Sequence, residues 1–256
     1  NKINIFIIYM DKKNFKIINS ETHRENCLRL LPKMKLVSLN VGPQNQEKES
    51  VFIEFRCFPH TEFLIRNAIY KLPISWSHTV ICGLDNYNFM KKICDDISKN
   101  IKLIRLDINN LNQETYSRLL CSIDFWNRFV GEKIFIYQED SNIFKSNIDD
   151  FLEYDYIGAA WPQREYVGNG GTSLRSKSVM IRCLQKRRHK RGPEDIFFTD
   201  TMYNHKIGNL AKFEAGVRFG MEGEPSNDPF CGHQFWGGHI PKFYTLETSG
   251  YFNFFI

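Results

Sequence analysis

The chain has 256 residues, 42% hydrophobic and 25% charged, enough for one sizeable globular core but cramped for two full domains. A net charge of +5 and a pI near 8.7 permit contact with phosphate or an anionic surface, yet are too modest for a dedicated nucleic-acid binder.

At the N-terminus, "KINIFIIYMDKKNFKIINSE" reads as two β-rich runs around a polar turn at Asp11 to Asn14, and "VGPQNQEKES" (41–50) reads as a linker. A boundary near residue 50 therefore divides a β-rich extension (1–50) from a main domain (51–256). The apolar run from Ile3 to Tyr9 is too short to cross a bilayer, and no small-residue cleavage site follows it. From Val51 the pattern alternates. "VFIEFRCF", "HTVICG", "IKLIRL" and "EKIFIYQ" have strand character. Between them, "TEFLIRNAIYKL", with Thr61 as expected N-cap, "NYNFMKKICDDISK" and "QETYSRLLCSIDFWNRF" have helical spacing. Alternating β and α units imply an α/β fold with a largely parallel sheet covered on both faces, and ligands in such sheets bind beyond the carboxyl ends of the strands.

The fourth strand runs into "QED", Gln138, Glu139 and Asp140, where carboxylates on a rigid strand end suit a hard divalent cation or simply form a solvated turn. Further on, "YVGNGGTSLRSKSVM" places Gly168, Gly170 and Gly171 ahead of Thr172 and Ser173. Adjacent glycines either let backbone amides approach a ligand or supply a turn of positive φ. The following "SLRSKSVMIRCL" has helix-like spacing in Leu174, Val179, Ile181 and Leu184. The basic run "KRRHKRG" (186–192) is a solvated loop or an anion site. After it, Pro193, Glu194 and Asp195 fit a helix start, and one of the two carboxylates is a candidate general base. Cys231, His233 and His239 match no four-ligand zinc spacing. Seven cysteines without a CxxC pair, and no Asn-x-Ser/Thr sequon, agree with buried thiols in a reducing, cytoplasmic setting.

Taken in order, "IEFR…P", "FW…IFIYQEDS", "DDFLEYDYIGAAWP", "GNGGTSLRSKSVM", "PEDIFF" and "GGHIPK" resemble a nucleotide-sugar glycosyltransferase of the GT-A fold. More closely, Val51 to Pro241 resembles a family described as a glycosyltransferase-like domain of unknown function. The resemblance implies a nucleoside-diphosphate sugar as donor, with a UDP-sugar favoured, and Mn²⁺ or Mg²⁺ at the acidic motif. In this reading Asp140 and His239, the latter preferred over His233, are metal ligands. Gln138, Glu139, Gly170, Gly171 and Ser173 lie along the donor and acceptor cleft, Glu54 and Arg56 contact the nucleotide, and Trp161 stacks on a sugar or belongs to the core. Glu194 and Asp195 supply the base of an inverting reaction, Asp195 in particular. Gln138 departs from the usual Asp-x-Asp, which leaves metal dependence open and the basic run as another means of neutralising the leaving diphosphate. The acceptor is a glycan, a protein or a lipid-linked molecule, and residues 1–50 either pack on the main domain or mediate a homodimer. Two other readings compete: an inactive carbohydrate- or nucleotide-binding module of the same fold, and, ranked last, a nucleic-acid binder.

Overall fold

Strands β1 (Lys48–Ile53), β2 (Ser77–Cys82) and β4 (Lys133–Tyr137) are buried along almost their whole length, as strands covered on both faces must be. The protein is described from a computed structural model, which covers residues 20–44, 47–222 and 226–237. With β3 (Lys102–Arg105), β6 (Tyr156–Gly158) and β7 (Thr172–Ser176) these strands form one sheet in the order β3-β2-β1-β4-β7-β6. Only β7 runs against the others. The expected mostly parallel sheet flanked by helices is the one observed. The strand order reverses between β1 and β4, whose register pairs Phe52 with Tyr137, so both carboxyl ends finish at one crevice. β7, being antiparallel, starts there too, with Thr172 opposite Tyr137.

The covering helices are α1 (Ser20–Met34), α2 (Thr61–Lys71), α3 (Tyr87–Ile97), α4 (Gln113–Leu120), α5 (Ile123–Trp126), α6 (Lys177–Lys186), α7 (Glu194–His205) and α8 (Phe213–Phe219). A second, small sheet joins β5 (Ser141–Ile143), β9 (Cys231–His233) and β8 (Gly220–Met221). Leu30 and Met34 of α1 enter the same core as Val51, Phe52 and Phe63.

Several local expectations are corrected. Within the segment read as β-rich extension and linker, Ser20 and Glu21 open α1, and β1 begins at Lys48 rather than Val51; residues 1–19 lie outside the described residues. Thr61 does not cap α2: His60 holds the N-cap position and the Thr61 hydroxyl is buried without a hydrogen-bond partner. The single helix read over 113–129 is two, because the Ser122 hydroxyl accepts the Phe125 amide (3.2 Å) and starts α5 afresh. Leu174 belongs to β7, not to the helix that follows, so the glycines precede a strand. All seven cysteines are free and five are buried, but Cys57 is exposed. Among the described residues no helix is long and apolar enough to cross a membrane.

The amino ends of the strands carry buried polar groups that satisfy one another. Glu49 accepts the Thr79 hydroxyl at 2.5 Å and the Val130 and Gly131 amides at 2.8 Å each. His78 sits 2.7 Å from the Ser50 hydroxyl, and burial lowers its pKa from 6.5 to about 3. The unfolded chain therefore takes up a proton below pH 6.5 that the folded chain refuses, so stability is full above 6.5 and lost as pH falls toward 3. Urea denaturation across this range is expected to show a loss on the order of 4 kcal/mol from His78, removed in His78→Gln.

Candidate functional site

A cavity of about 490 Å³ opens at the crevice between the ends of β1 and β4. It is lined by Glu54 and Arg56 after β1, Tyr116 on α4, Gln138, Glu139 and Asp140 after β4, Gly170 and Gly171 before β7, and Glu194 and Asp195 on α7, with Glu222 and His233. The residues expected at the site thus meet there, except three. Ser173 is buried behind it, accepting Arg175 Nε (2.9 Å); Trp161 lies over Gly168 with the Arg164 guanidinium 5.1 Å from its ring; and His239 falls outside the described residues.

The carboxylates differ sharply in what they have left to offer. Glu54 is saturated: Oε1 accepts the Phe55 and Arg56 amides and Arg56 Nε, and Oε2 accepts Arg56 Nη2, all at 2.8 Å. The Arg56 guanidinium, half exposed, lies 4.5 Å from the Phe58 ring, and its hydrogen bond to Glu54 raises its pKa. Glu139 accepts Arg24 of α1 in a two-point contact (2.6 and 3.2 Å), with His60 at 3.2 Å, so both its oxygens are already engaged. Burial pushes its carboxyl up, but the hydrogen bonds from His60 and Arg24 outweigh this and hold it below its ordinary value. Glu194 is buried and bound to Arg175 through both oxygens (2.9 and 3.1 Å). Burial still raises its carboxyl, while Glu194 in turn drives Arg175 above its ordinary value despite burial.

Asp140, Asp195 and Glu222 remain. Asp195 accepts the Gly170 amide (3.0 Å) and its neighbour Ile196's amide (2.7 Å), and burial raises its pKa against these donors. Asp140 is fixed by Gln234, whose side-chain amide donates to Oδ2 (2.8 Å) and whose backbone amide donates to the Asp140 carbonyl (3.0 Å). The pairing of β5 with β9 sets Ser141 opposite His233, which brings His233 Nε2 to 3.3 Å from Asp140 Oδ1. Burial would raise the Asp140 carboxyl, but His233 and Gln234 hold it well below the usual range. Burial lowers His233, but Asp140 and Glu222 prevail and take it to about 10.

Asp140 Oδ1 and His233 Nε2 are both buried and face each other as an ion pair at 3.3 Å, and neither makes a hydrogen bond of good geometry. Two donors on adjacent corners of one octahedral ion are about 3 Å apart, so an oxygen and an imidazole nitrogen at this spacing fit a shared divalent cation. Glu222 accepts from His233 Nδ1 at 3.0 Å, the outer-shell carboxylate that fixes a ligating imidazole's tautomer. Among the described residues no group of three or more His, Cys, Asp or Glu is set to hold a metal, so such an ion would need oxygens from a ligand or water as well.

The glycines serve the site by leaving room. A Cβ at Gly170 would overlap Glu194 Oε1, one at Gly171 would overlap the His233 imidazole, and one at Gly168 would overlap Trp161. None of the three has positive φ; the turn's left-handed residue is Asn169 (φ 24°), whose side chain bonds Glu222 and accepts the Thr172 amide (3.3 Å). Sequence reasoning missed Arg175, Asn169, Glu222 and Tyr116, which stand in no recognisable spacing. His233 was visible, but His239, which lies outside the described residues, was preferred to it.

Residues 100–233, just over half of the chain, match the family described as "Protein of unknown function (DUF5672)", and the chain belongs to that family. No curated protein matches it significantly. Among solved structures, the apo glycosyltransferase GlyE of Streptococcus pneumoniae is 10% identical with a TM-score of 0.45, over 79% of this chain and 57% of that one. A mannosyltransferase of Pyrobaculum calidifontis, solved with GDP-Man and Mn²⁺, is 10% identical with a TM-score of 0.47, over 75% of this chain and 61% of that one. The inositol-1-phosphate CTP transferase of T. maritima is 9% identical with a TM-score of 0.46, over 66% and 86%. This chain thus spans less than two thirds of either glycosyltransferase, and each likeness is a weak one of fold. The arrangement itself is a mostly parallel six-stranded sheet between helices, with an acidic turn at the end of β4.

Glu194 and Asp195 should separate in denaturation experiments. Glu194→Ala leaves the Arg175 charge buried and unpaired and is expected to cost about 3–5 kcal/mol. Asp195→Asn relieves a charge held against burial but keeps only one of the two oxygens that accept the Gly170 and Ile196 amides, so it should cost about 1–3 kcal/mol, less than Glu194→Ala.

Proposed function

We propose that the protein is a glycosyltransferase of hexosyltransferase type that moves a sugar from a nucleoside-diphosphate sugar, a UDP-sugar by preference, to a hydroxyl of an acceptor. The observation that carries this reading is the convergence of Asp195 and the Asp140–His233 pair on one cavity of about 490 Å³ at the strand-order reversal, a size suited to a small organic ligand. Asp140 and, once its imidazole has given up its Nε2 proton, His233 would hold Mn²⁺ or Mg²⁺, with Gln234 and Glu222 orienting them. When bound, the ion supplies positive charge for the departing diphosphate. Gln138, an amide, adds hydrogen bonding but no charge. Arg56, with its guanidinium half exposed, faces the nucleotide end.

Asp195 takes the proton from the attacking hydroxyl. Its raised pKa brings it nearer the working pH, which is what general-base catalysis favours, and the Gly170 and Ile196 amides hold its orientation. A base acting directly on the acceptor is the single-displacement, inverting arrangement. Glu194 contributes indirectly, by anchoring the start of α7 through Arg175.

A thermal-shift panel of UDP-, GDP-, CMP- and dTDP-sugars, each with Mn²⁺, Mg²⁺ or EDTA, tests the donor half of this reading. One nucleotide class with metal, at about a hundred times its Kd, is expected to raise Tm by roughly 5–10 °C, and the rise should vanish in Asp140→Ala and His233→Ala. Equal shifts in those variants, or none with any donor, would sink it. Asp195→Asn should keep the donor shift and lose about 10²–10⁴ in transfer rate. In the wild type kcat/KM should fall as pH drops through the raised pKa of Asp195, because only the carboxylate accepts a proton.

A further inference from the structure

The chain's excess positive charge is concentrated in one place. Lys186, Arg187, Arg188, Lys190 and Arg191 occupy five of six consecutive positions from the last residue of α6 into the loop before α7, and all five are exposed. The other 29 Lys and Arg residues are matched in number by 29 Asp and Glu, so this loop alone equals the net charge of +5. Among the described residues none of the five lies within 4.0 Å of a carboxylate. Elsewhere some lysines and arginines are paired, as Lys91 with Asp95 and Arg118 with Glu114 are; what sets this loop apart is five such residues within six positions.

The loop is also shaped rather than loose. His189 meets the Gly192 carbonyl at 3.0 Å, its ring stands edge-on to Phe197 (5.3 Å), and the Arg187 guanidinium lies 5.6 Å from the same ring. Two aromatic contacts and the turn at Gly192 (φ 93°) thus fix the loop against α7, and among the described residues Arg188, Lys190 and Arg191 have no ion-pair partner. Arg191 is two residues before Pro193, a cavity-lining residue, so its Cα is within about 8 Å of that residue's, about one Debye length at physiological salt.

Of the six carboxylates that line the cavity, Glu54, Glu139 and Glu194 are paired with arginines, and the ones left without an arginine are Asp140, Asp195 and Glu222, with Asp195 beside the loop at the start of α7. An anionic group would be repelled from the Asp195 end of such a cavity and drawn to the cationic loop beside it. We infer that the loop 186–191 binds the anionic groups of the acceptor, a saccharide bearing phosphate or carboxylate, and holds them outside the cavity while a hydroxyl of the same molecule reaches Asp195. This inference rests on the glycosyltransferase reading for the word acceptor, but its test does not depend on turnover.

The experiment measures binding of the full chain, by calorimetry, to neutral maltohexaose, phosphorylated maltohexaose and hexagalacturonate, for wild type and the triple variant Arg188→Ser, Lys190→Ser, Arg191→Ser. Arg187 and His189 are kept because they pack on Phe197. The anionic saccharides are expected to bind the wild type and the neutral one not, with affinity falling about tenfold or more in the variant and in high salt. Unchanged binding in the variant, or equal affinity for neutral maltohexaose, overturns the inference. So does binding confined to phosphatidylserine vesicles or to an oligonucleotide, which would make the loop a membrane or nucleic-acid contact. The donor thermal shift, run in parallel, should be the same in the triple variant; a loss there would assign the loop to the donor diphosphate instead. Failure of the saccharide arm with an intact donor shift refutes this inference alone, whereas failure of the donor shift refutes the transferase reading.

Discussion

Much of the site hangs on one buried ion pair. Arg175 is fully buried on β7, a strand paired on both sides, opposite Ile134 and Tyr156. Four of its guanidinium's five N–H groups are spent on neighbours: Ser173 Oγ, the Gly170 carbonyl and both oxygens of Glu194. The Tyr156 ring lies 4.7 Å from it and the Phe198 ring 5.8 Å. A charge removed this far from water is tolerated only with such extensive pairing, so the start of α7 has little freedom to move relative to the glycine turn. Asp195 inherits that constraint by adjacency, and its bond to the Gly170 amide closes the ring of contacts.

The same logic sorts the other carboxylates. A cavity with six acids would be unstable if all faced it bare, and three are neutralised locally, Glu54 by Arg56, Glu139 by Arg24 and Glu194 by Arg175. The three left with uncommitted capacity, Asp140, Asp195 and Glu222, are the ones whose surroundings bear on chemistry. Glycine at 170 and 171 is what allows this packing: any side chain at either position would displace the Glu194 carboxylate or the His233 ring.

The parallel sheet was legible because its strands are short apolar runs separated by helical spacing, and the acids after β4 were legible because strand ends in such sheets are where ligands sit. What periodicity reads poorly is a strand that leads directly into a helix. β7 and α6 abut at Ser176 and Lys177, so Leu174 fell into helical phase with Val179 and Ile181 by chance. The break between α4 and α5 depends on one hydroxyl, Ser122, inside a run whose apolar pattern continues unbroken. Glu139 looked like a metal ligand because a carboxylate beside Asp140 carries no mark of its partner. That partner, Arg24, is 115 residues away. His233 was ambiguous for the same reason: only the pairing of β5 with β9 brings it to Asp140.

Helix α1, about which the sequence offered least, touches both segments that supply the candidate metal ligands. Arg24 holds Glu139, the residue before Asp140, while His23 stacks on Trp236 at 5.1 Å and meets Phe235 edge-on at 5.5 Å, two and three residues beyond His233. His23 is buried and its pKa is lowered to about 3, chiefly by burial, so it packs as a neutral ring. One helix face thus bears on the acidic turn and on the end of β9 together. The distance between Asp140 and His233 is therefore set from two sides: by the backbone ladder that pairs Ser141 with His233, and by α1 packing against the residues next to each. A helix from the N-terminal segment in this sense buttresses the site from behind, touching residues that line the cavity or adjoin them while lining none of it itself.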